Sequence, residues 1–512
     1  MAHAESVSAR VTPSAKRLPL AARIAIGLAV AASSGGIATL AFPRYEIWPL
    51  IFVAFIPMAI AQHRLLPLNW SPLAPGVTIG AYFAGQLSAG LADGNVAWYI
   101  QLWPLYVALF IAALCWPGRN FHAATGYRWL WLSFPLAWTA IDAARALSGV
   151  DVLAGTWGNV AYALYEQAWL LQPLSVFGIF GAELLILVIN FALATTVIAA
   201  LDRTWPPERV PALPMSRAIT VLGGVAVAAI AWTALSLALF TPQPGTLRVG
   251  TVQSNAPLDA EEELQRTITA TRELGAQGAK IVVWREAGLK FDPLRERTDM
   301  LKALAAETGA YLAVGYRVNE DNGLRRNEAV VFAPTGETYG PYGKDHPGRF
   351  AGDHSDTGGE YKVYQTALGR IATIICYDLD FTDTAREMAR RGAVFIAVPS
   401  NDVPAIATTH YTHLVFRAIE NRLSLAKADS LFDTAIIDPH GRILARNVND
   451  IDMAQAKAIA EGRTLPAKTL IADVPLGTGD TLAVQFGDWV GWLAIILAIA
   501  MAAVPLFRLK RG

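Results

Sequence analysis

Cys376 closes the run Ile374-Ile375-Cys376, and it is one of only two cysteines in the chain. A thiol becomes a nucleophile when a nearby base and a positive charge favour the thiolate. Candidates for both follow other apolar or turn-rich segments. Glu286 ends Ile-Val-Val-Trp-Arg-Glu, and Lys344 stands in Gly343-Lys344-Asp345-His346. A fourth signature, Pro399-Ser400-Asn401-Asp402, also follows a β-branched run. The chemistry this combination suits is acyl transfer through a covalent thioester. Glu286 would move the thiol proton, and Lys344, with a backbone N–H beside Cys376, would stabilise the oxyanion of a tetrahedral intermediate. Taken singly, each has a bland reading, because most cysteines are core hydrophobes and most charged residues are solvated surface.

Such residues need a scaffold that brings distant segments together, and the pattern from residue 246 onward predicts one. Short β-branched runs at 247–253, 280–284, 311–316, 327–332, 371–376 and 394–399 alternate with helical patterns at 258–277, 300–308 and 382–391. This is the signature of an α/β sheet domain. All four signatures fall at carboxyl ends of strands or in loops beyond them, where α/β sheets carry their sites.

The rest of the chain is different in kind. Of 512 residues, 54% are hydrophobic and only 16% charged, with mean hydropathy +0.35. That charge content is far below the roughly 25% of soluble domains. Apolar stretches at 24–41, 47–62, 75–92, 99–116, 129–147, 177–201, 217–240 and 486–507 predict about eight transmembrane helices. Arg10, Lys16, Arg17 and Arg23, then Arg64, Arg119, Arg128, Arg203, Arg209 and Arg217, and finally Arg508, Lys510 and Arg511 all mark alternate connections. The intervening loops hold only Arg44, with nothing basic at 93–95 or 151–167. This asymmetry predicts cytoplasmic termini and an extracytoplasmic central domain. Trp98, Trp103, Trp129 and Trp131 lie near span ends, as interfacial aromatics do. Asp142, Arg145 and Glu183 fall inside predicted spans, where ionisable groups either snorkel or shape the bundle. The balance of 42 basic against 42 acidic residues gives no support for a nucleic-acid partner. Cys115 and Cys376 form neither a disulfide framework nor a metal-type pair, and no metal or cofactor is expected.

Residues 247–473 resemble the nitrilase, or carbon–nitrogen hydrolase, superfamily. The resemblance rests on Glu286, Lys344 and Cys376 in that order, on Ala385-Arg386-Glu387 and Val398-Pro399-Ser400, on Arg417-Ala418-Ile419-Glu420, and on Asp438-Pro439-His440-Gly441. It implies an αββα sandwich. Seven spans before such a domain and one after resemble the apolipoprotein N-acyltransferase family, as do Ser400-Asn401-Asp402 and the loop with Trp157, Gly158 and Tyr162. The implied organisation is a tail at 1–17, a bundle at 18–243, a catalytic domain at 244–483 and a final helix with a basic tail at 484–512. The implied location is a bacterial inner membrane. The implied activity takes an acyl chain from a phospholipid onto Cys376 and passes it to the α-amine of a lipid-modified lipoprotein. Trp157, Asp353, Tyr377, Asp378, Asn401, Arg417 and Glu420 are then the expected supporting or substrate-binding residues.

The chain departs from those patterns in several places. Trp284-Arg285-Glu286 replaces Trp-Pro-Glu, and Cys376-Tyr377-Asp378 replaces Cys-Tyr-Glu, as in soluble amidases. The late Thr-Asn-Asn-Gly is Ala428-Asp429-Ser430-Leu431. The second glutamate after the lysine is missing, leaving Asp353, Asp356 or Glu360 as its replacement. A membrane-tethered amidase and a non-catalytic scaffold therefore stay open as alternatives. The apolar stretches 403–407 and 414–416 read equally as a lipid contact or as core.

Overall fold

A computed structural model describes residues 19–87, 101–149, 155–207, 210–254, 260–321, 323–349, 352–402, 406, 409–448 and 467–509. The tail with Arg10, Lys16 and Arg17, the loop at 93–95 with Trp98, most of 403–407, and Lys510 and Arg511 lie outside them.

The polar half forms two six-stranded sheets. One has the order β12-β1-β2-β3-β4-β5, built from Lys468–Val474, Leu247–Gln253, Ile281–Val283, Tyr311–Asn319, Arg325–Phe332 and Thr338–Gly343. The other has the order β11-β10-β9-β8-β7-β6, built from Ile443–Val448, Asp433–Ile437, Ser424–Ala428, Phe395–Pro399, Gly369–Thr373 and Val363–Thr366. Strands β1, β2 and β3 run parallel, as do β7, β8 and β9, so the loops after β2, β7, β8 and β9 can converge.

Period-two alternation decides what each face packs against. In β2, Ile281 and Val283 join Val249, Ala313, Phe395, Ala397 and Ala426 in the core between the sheets. Val282 points the other way, toward Leu264, Ile268, Leu274 and Leu301 on the helices Ala260–Ala276 and Thr298–Thr308. The helices Thr382–Arg390 and Tyr411–Asn421 cover the second sheet, completing four layers. Leu414, Val415 and Phe416 are fully buried there, so 414–416 is core.

That second helical layer is itself covered by apolar helices. Seven are Leu20–Thr39, Leu73–Gln86, Trp103–Leu114, Leu130–Leu147, Leu174–Thr204, Met215–Leu239 and Trp489–Leu509. Among the described residues, four segments are long and apolar enough to cross a membrane: Leu20–Thr39, Trp48–Leu65, Leu174–Thr204 and Met215–Leu239. Met215–Leu239 turns Ile219, Val227, Ile230 and Leu237 outward, an apolar face that water would penalise and lipid would not. Small residues set the close approaches. A Cβ on Gly35 would come within 2.4 Å of the Thr78 carbonyl oxygen, so Leu20–Thr39 and Leu73–Gln86 touch backbone to backbone.

The expected span at 47–62 is not one continuous helix. It is a 3-10 turn Trp48–Phe52, a short helix Ile56–Ile60 and a π turn Ala61–Leu65. Pro49 and Pro57 each remove a backbone donor. Asn190 supplies what the broken ladder lacks, accepting from Phe55 N–H at 2.9 Å and donating to the Ile51 carbonyl at 2.8 Å.

The helix Leu174–Thr204 is also interrupted, at Gly178 (φ 63°, ψ −177°). Only glycine adopts that conformation without strain. The break frees the Ile179 N–H, which donates to Glu420 Oε1 at 2.8 Å. The sheet domain thereby caps an apolar helix. A Cβ at Gly178 would meet nothing closer than Glu420 Oε1 at 3.8 Å, so substitution adds backbone strain rather than a clash. Gly178→Ala is expected to destabilise the protein by about 1–3 kcal/mol, measured as a lower thermal midpoint in detergent.

Candidate active site

Cys376 sits where β7 gives way to a 3-10 turn, Cys376–Asp380, and its φ is +46°. A non-glycine residue in that left-handed region is held there by its surroundings. Asp378 does the holding. Its Oδ2 accepts from Ile375 N–H at 2.8 Å and from Tyr342 OH at 2.7 Å, while Oδ1 accepts from His346 N–H at 2.8 Å. One carboxylate thus fastens the nucleophile turn to the lysine loop. Burial raises its pKa to about 6, against His346, two backbone N–H bonds and Lys344.

Glu286 and Lys344 meet. Lys344 Nζ lies 2.8 Å from Glu286 Oε1 and 3.1 Å from Asp353 Oδ2, with Lys344 and Glu286 buried. Among the three possible second carboxylates, Asp353 is the one that reaches the lysine. Asn327, on β4, donates to both acids, at 2.6 Å to Glu286 and 3.0 Å to Asp353. Burial alone would lower the Lys344 pKa, but Glu286, Cys376 and Asp353 hold it well above the usual lysine range. The ammonium therefore stays charged, as an oxyanion-stabilising group must. Asp353 is held well below the carboxylate range despite burial, chiefly by Lys344 and Ser355. The side chain of Arg285 pairs outside this group. It turns away to pair with buried Glu263 and donates to the Glu286 carbonyl at 3.0 Å.

The Cys376 thiol donates to Asp402 Oδ1 at 3.5 Å. Burial, then Glu286, push its pKa well above the ordinary thiol range, with Lys344 opposing and Asp402 adding to the rise. Asp402 belongs to a buried cluster. Its Oδ1 also accepts from Ser400 Oγ at 2.9 Å and lies 2.8 Å from His410 Nδ1, while Lys427 Nζ reaches Oδ2 at 2.7 Å. His410 Nε2 lies 3.2 Å from Asp380 Oδ2, and His413 Nδ1 lies 2.8 Å from Asp380 Oδ1. Against burial, Asp402 and Asp380 raise the His410 pKa to about 10. Asp380, His410 and His413 lie close enough together for a metal ion. In the structure His410 lies between the carboxylates of Asp402 and Asp380.

The remaining expected residues lie around this centre in different ways. Trp157 packs on His413 with ring centroids 5.2 Å apart, and its carbonyl accepts from Arg145, which also pairs with Asp142. The Asp142–Arg145 pair thus pins the Trp157 loop. Tyr377 is buried edge-on against Phe381, and Asn401 Oδ1 accepts from Ser430 Oγ at 2.6 Å. Arg417 and Glu420 pair with each other at 3.1 Å at the Gly178 break and have no hydrogen bond to the Glu286–Lys344–Cys376 group. Glu183 is fully buried in the bundle. Asn327, Asp380, His410 and Lys427 carry site contacts that the sequence reading passed over. Lys427, a lone charge inside the apolar strand Ser424–Ala428, was the visible signal.

Comparisons with known proteins cover both halves of the chain. Residues 248–478 match the carbon–nitrogen hydrolase family, and residues 34–192 match the apolipoprotein N-acyltransferase N-terminal domain. The chain is therefore a carbon–nitrogen hydrolase fold carried by a membrane bundle. Over nearly its whole length it is similar to apolipoprotein N-acyltransferases. It is 26% identical to the apolipoprotein N-acyltransferase of Geobacter metallireducens, over 94% of this chain and 95% of that one. The protein of the same name from Gloeobacter violaceus is 24% identical, over 93% and 94%. Human omega-amidase NIT2 is 27% identical over 39% of this chain and 84% of its own. Among solved structures, an amidase from Nesterenkonia sp. AN1 superposes with a TM-score of 0.37 at 22% identity, covering 47% of this chain and 96% of that chain.

Two outcomes are expected. Asn327→Leu, which removes both amide bonds to Glu286 and Asp353, should slow acylation of Cys376 by about 10- to 100-fold with the fold retained, measured as thioester formation by mass spectrometry. His410 has a folded pKa of about 10 against an unfolded value of about 6.5. Its stabilisation is complete below the unfolded pKa and is lost as pH rises through the folded one. Between about pH 6.5 and 10, the thermal midpoint of wild type should fall more steeply than that of His410→Gln, and parallel curves would contradict a charged His410.

Proposed function

We propose that the protein transfers a fatty acyl chain from a phospholipid to the α-amine of a lipid-modified N-terminal cysteine on a lipoprotein, with Cys376 as the acyl carrier. The observation that carries this reading is the buried Glu286–Lys344 pair beside a cysteine in a left-handed turn, on a domain seated against apolar helices. In the first step, Sγ attacks the ester carbonyl carbon and the thiol proton passes to Glu286. Lys344 stabilises the oxyanion. The ester C–O bond breaks, and Glu286 returns the proton to the leaving lysophospholipid oxygen. In the second step the acceptor amine attacks the thioester, giving a proton to Glu286. The C–S bond breaks, and the sulfur recovers that proton.

Placement beside a membrane suits substrates whose chains stay in the bilayer. Eight spans, with the catalytic domain at 244–483 outside the bacterial inner membrane, are supported by the alternate-loop arginines and the long apolar helices. Both termini would then be cytoplasmic, with the tail at 1–17, the first seven spans within 18–243 and the last within 484–512.

The test uses purified full-length protein, a phospholipid with an alkyne-tagged acyl chain, and a diacylated lipopeptide with a free amine. Wild type should yield triacylated lipopeptide, and Glu286→Gln should lower the rate by about 10²- to 10⁴-fold. Release of tagged free acid at the same rate with and without lipopeptide would make the protein a hydrolase and overturn the reading.

A further inference from the structure

Cys376 has a charged neighbour on the side away from Lys344. Asp402 is fixed by five partners: Ser400 Oγ, His410 Nδ1 and the thiol at Oδ1, Lys427 at Oδ2, and Asp429 through its own N–H at 3.0 Å. A carboxylate so engaged stays ionised; burial opposes this, but His410 and Lys427 hold its pKa well below the usual range. It therefore accepts the hydrogen bond of the thiol as a carboxylate. Glu286, by contrast, is bonded at Oε1 to Lys344 and Asn327.

From these contacts we infer that Asp402 is a second functional carboxylate at Cys376, one that holds the resting sulfur as a neutral, oriented thiol, with His410 and Lys427 as its positioning residues. The sulfur then ionises only toward Glu286, once a donor ester has displaced it from Asp402. No proton enters or leaves Asp402 in the cycle. The inference rests on Cys376 being the nucleophile, but not on the identity of donor or acceptor.

The far end of this arm is built into the membrane half. Asp380, whose Oδ2 lies 3.2 Å from His410 Nε2, accepts at its carbonyl from both the N–H and the Oγ of Thr156, each at 2.7 Å. Thr156 Oγ lies 2.7 Å from Tyr162 OH, and the Tyr162 ring stacks on His413 at 3.9 Å and 5°. Buried polar groups thus succeed one another from the loop before Leu174–Thr204 through Asp380, His410 and Asp402 to the sulfur, with the Asp380–His410 step a 3.2 Å charge contact.

The charged groups that set the thiol's ionisation are Glu286, Lys344 and Asp353 on one side. On the other are Asp402, His410, Asp380, Lys427, Asp429 and Asp433. Removing the negative charge of Asp402 should favour the thiolate, whereas removing the positive charge of His410 should disfavour it.

The measurement is the pH dependence of iodoacetamide alkylation at Cys376 in the intact protein, followed by mass spectrometry of the peptide that carries it. Asp402→Asn is expected to move the midpoint down by about one pH unit, roughly tenfold more thiolate at a given pH. His410→Gln is expected to move it up. Opposite signs distinguish the proposal from loss of packing, which would shift both variants the same way. An unchanged midpoint in Asp402→Asn, or the same direction in both, would overturn it. Should Asp402→Asn fail to fold, a downward or null shift in His410→Gln alone overturns it as well. Alkylation needs no acyl transfer, so failure of the acyltransferase reading leaves the outcome readable.

Discussion

The structure depends on keeping charge out of water around one sulfur without leaving any charge alone. Lys344, Glu286, Asp402, His410, Asp380, Lys427, Asp429 and Asp433 are all buried. Removing one partner from a buried pair typically costs about 3–5 kcal/mol, because the other is left uncompensated. Each carboxylate must therefore meet a cation or a donor at close range. That requirement dictates which strand ends converge. Glu286 comes from the end of β2, Lys344 from β5, Cys376 from β7, Asp402 from β8 and Lys427 from within β9. Asn327 on β4 ties the two acids of the lysine side together. A Glu286 N–H bond to the Ser400 carbonyl at 3.2 Å links the strand-end loops of the two sheets. The site is thus a seam between sheets, and neither sheet could build it alone.

The same logic joins the domain to its membrane half. Glu420 satisfies an amide that the Gly178 break exposes, and Thr156 satisfies the carbonyl of Asp380. Trp489 Nε1 reaches the Val176 carbonyl at 2.9 Å, and Asp488 pairs with Arg386 at 2.9 Å. The Trp489 bond ties two bundle helices together, and the others are polar bonds between the bundle and the sheet domain. Bonds of that kind fix orientation as apolar packing alone does not, because a small slide leaves donors and acceptors unpaired. Cys376 is therefore held at a set position relative to the apolar helices, as the proposed reaction on membrane-resident chains would require.

Much of this was legible in the sequence, for identifiable reasons. Continuous apolar runs ending at Glu286 and Cys376 read as buried parallel strands, and their ends are where α/β sites form. The apolar stretches and the alternating arginines read as spans because a bilayer demands length and loop charge asymmetry. What stayed hidden depends on tertiary contact. Asp353, Asp356 and Glu360 share a glycine-rich coil with no periodicity, so only the fold shows which one touches Lys344. Arg285 looked like a charge beside the base until Glu263, from a distant helix, was seen to pair with it. Gly178 lies in an unbroken apolar run, where a glycine reads as ordinary helix, and its break becomes visible only with Glu420 in place. The segment at 47–62 had the composition of a span, but Pro49 and Pro57 divide it and Asn190 repairs the ladder from another helix.

The central claim is that the paired charges around Cys376 make its sulfur an acyl carrier, and single-turnover intact-mass spectrometry tests this most directly. Full-length protein is incubated with a phospholipid of defined chain length and no acceptor, quenched in acid and weighed. The account predicts a mass gain of one acyl chain that hydroxylamine removes, absent in Cys376→Ser and retained in Cys115→Ala. An adduct that persists in Cys376→Ser, or none in wild type while phospholipid is still consumed, would contradict it.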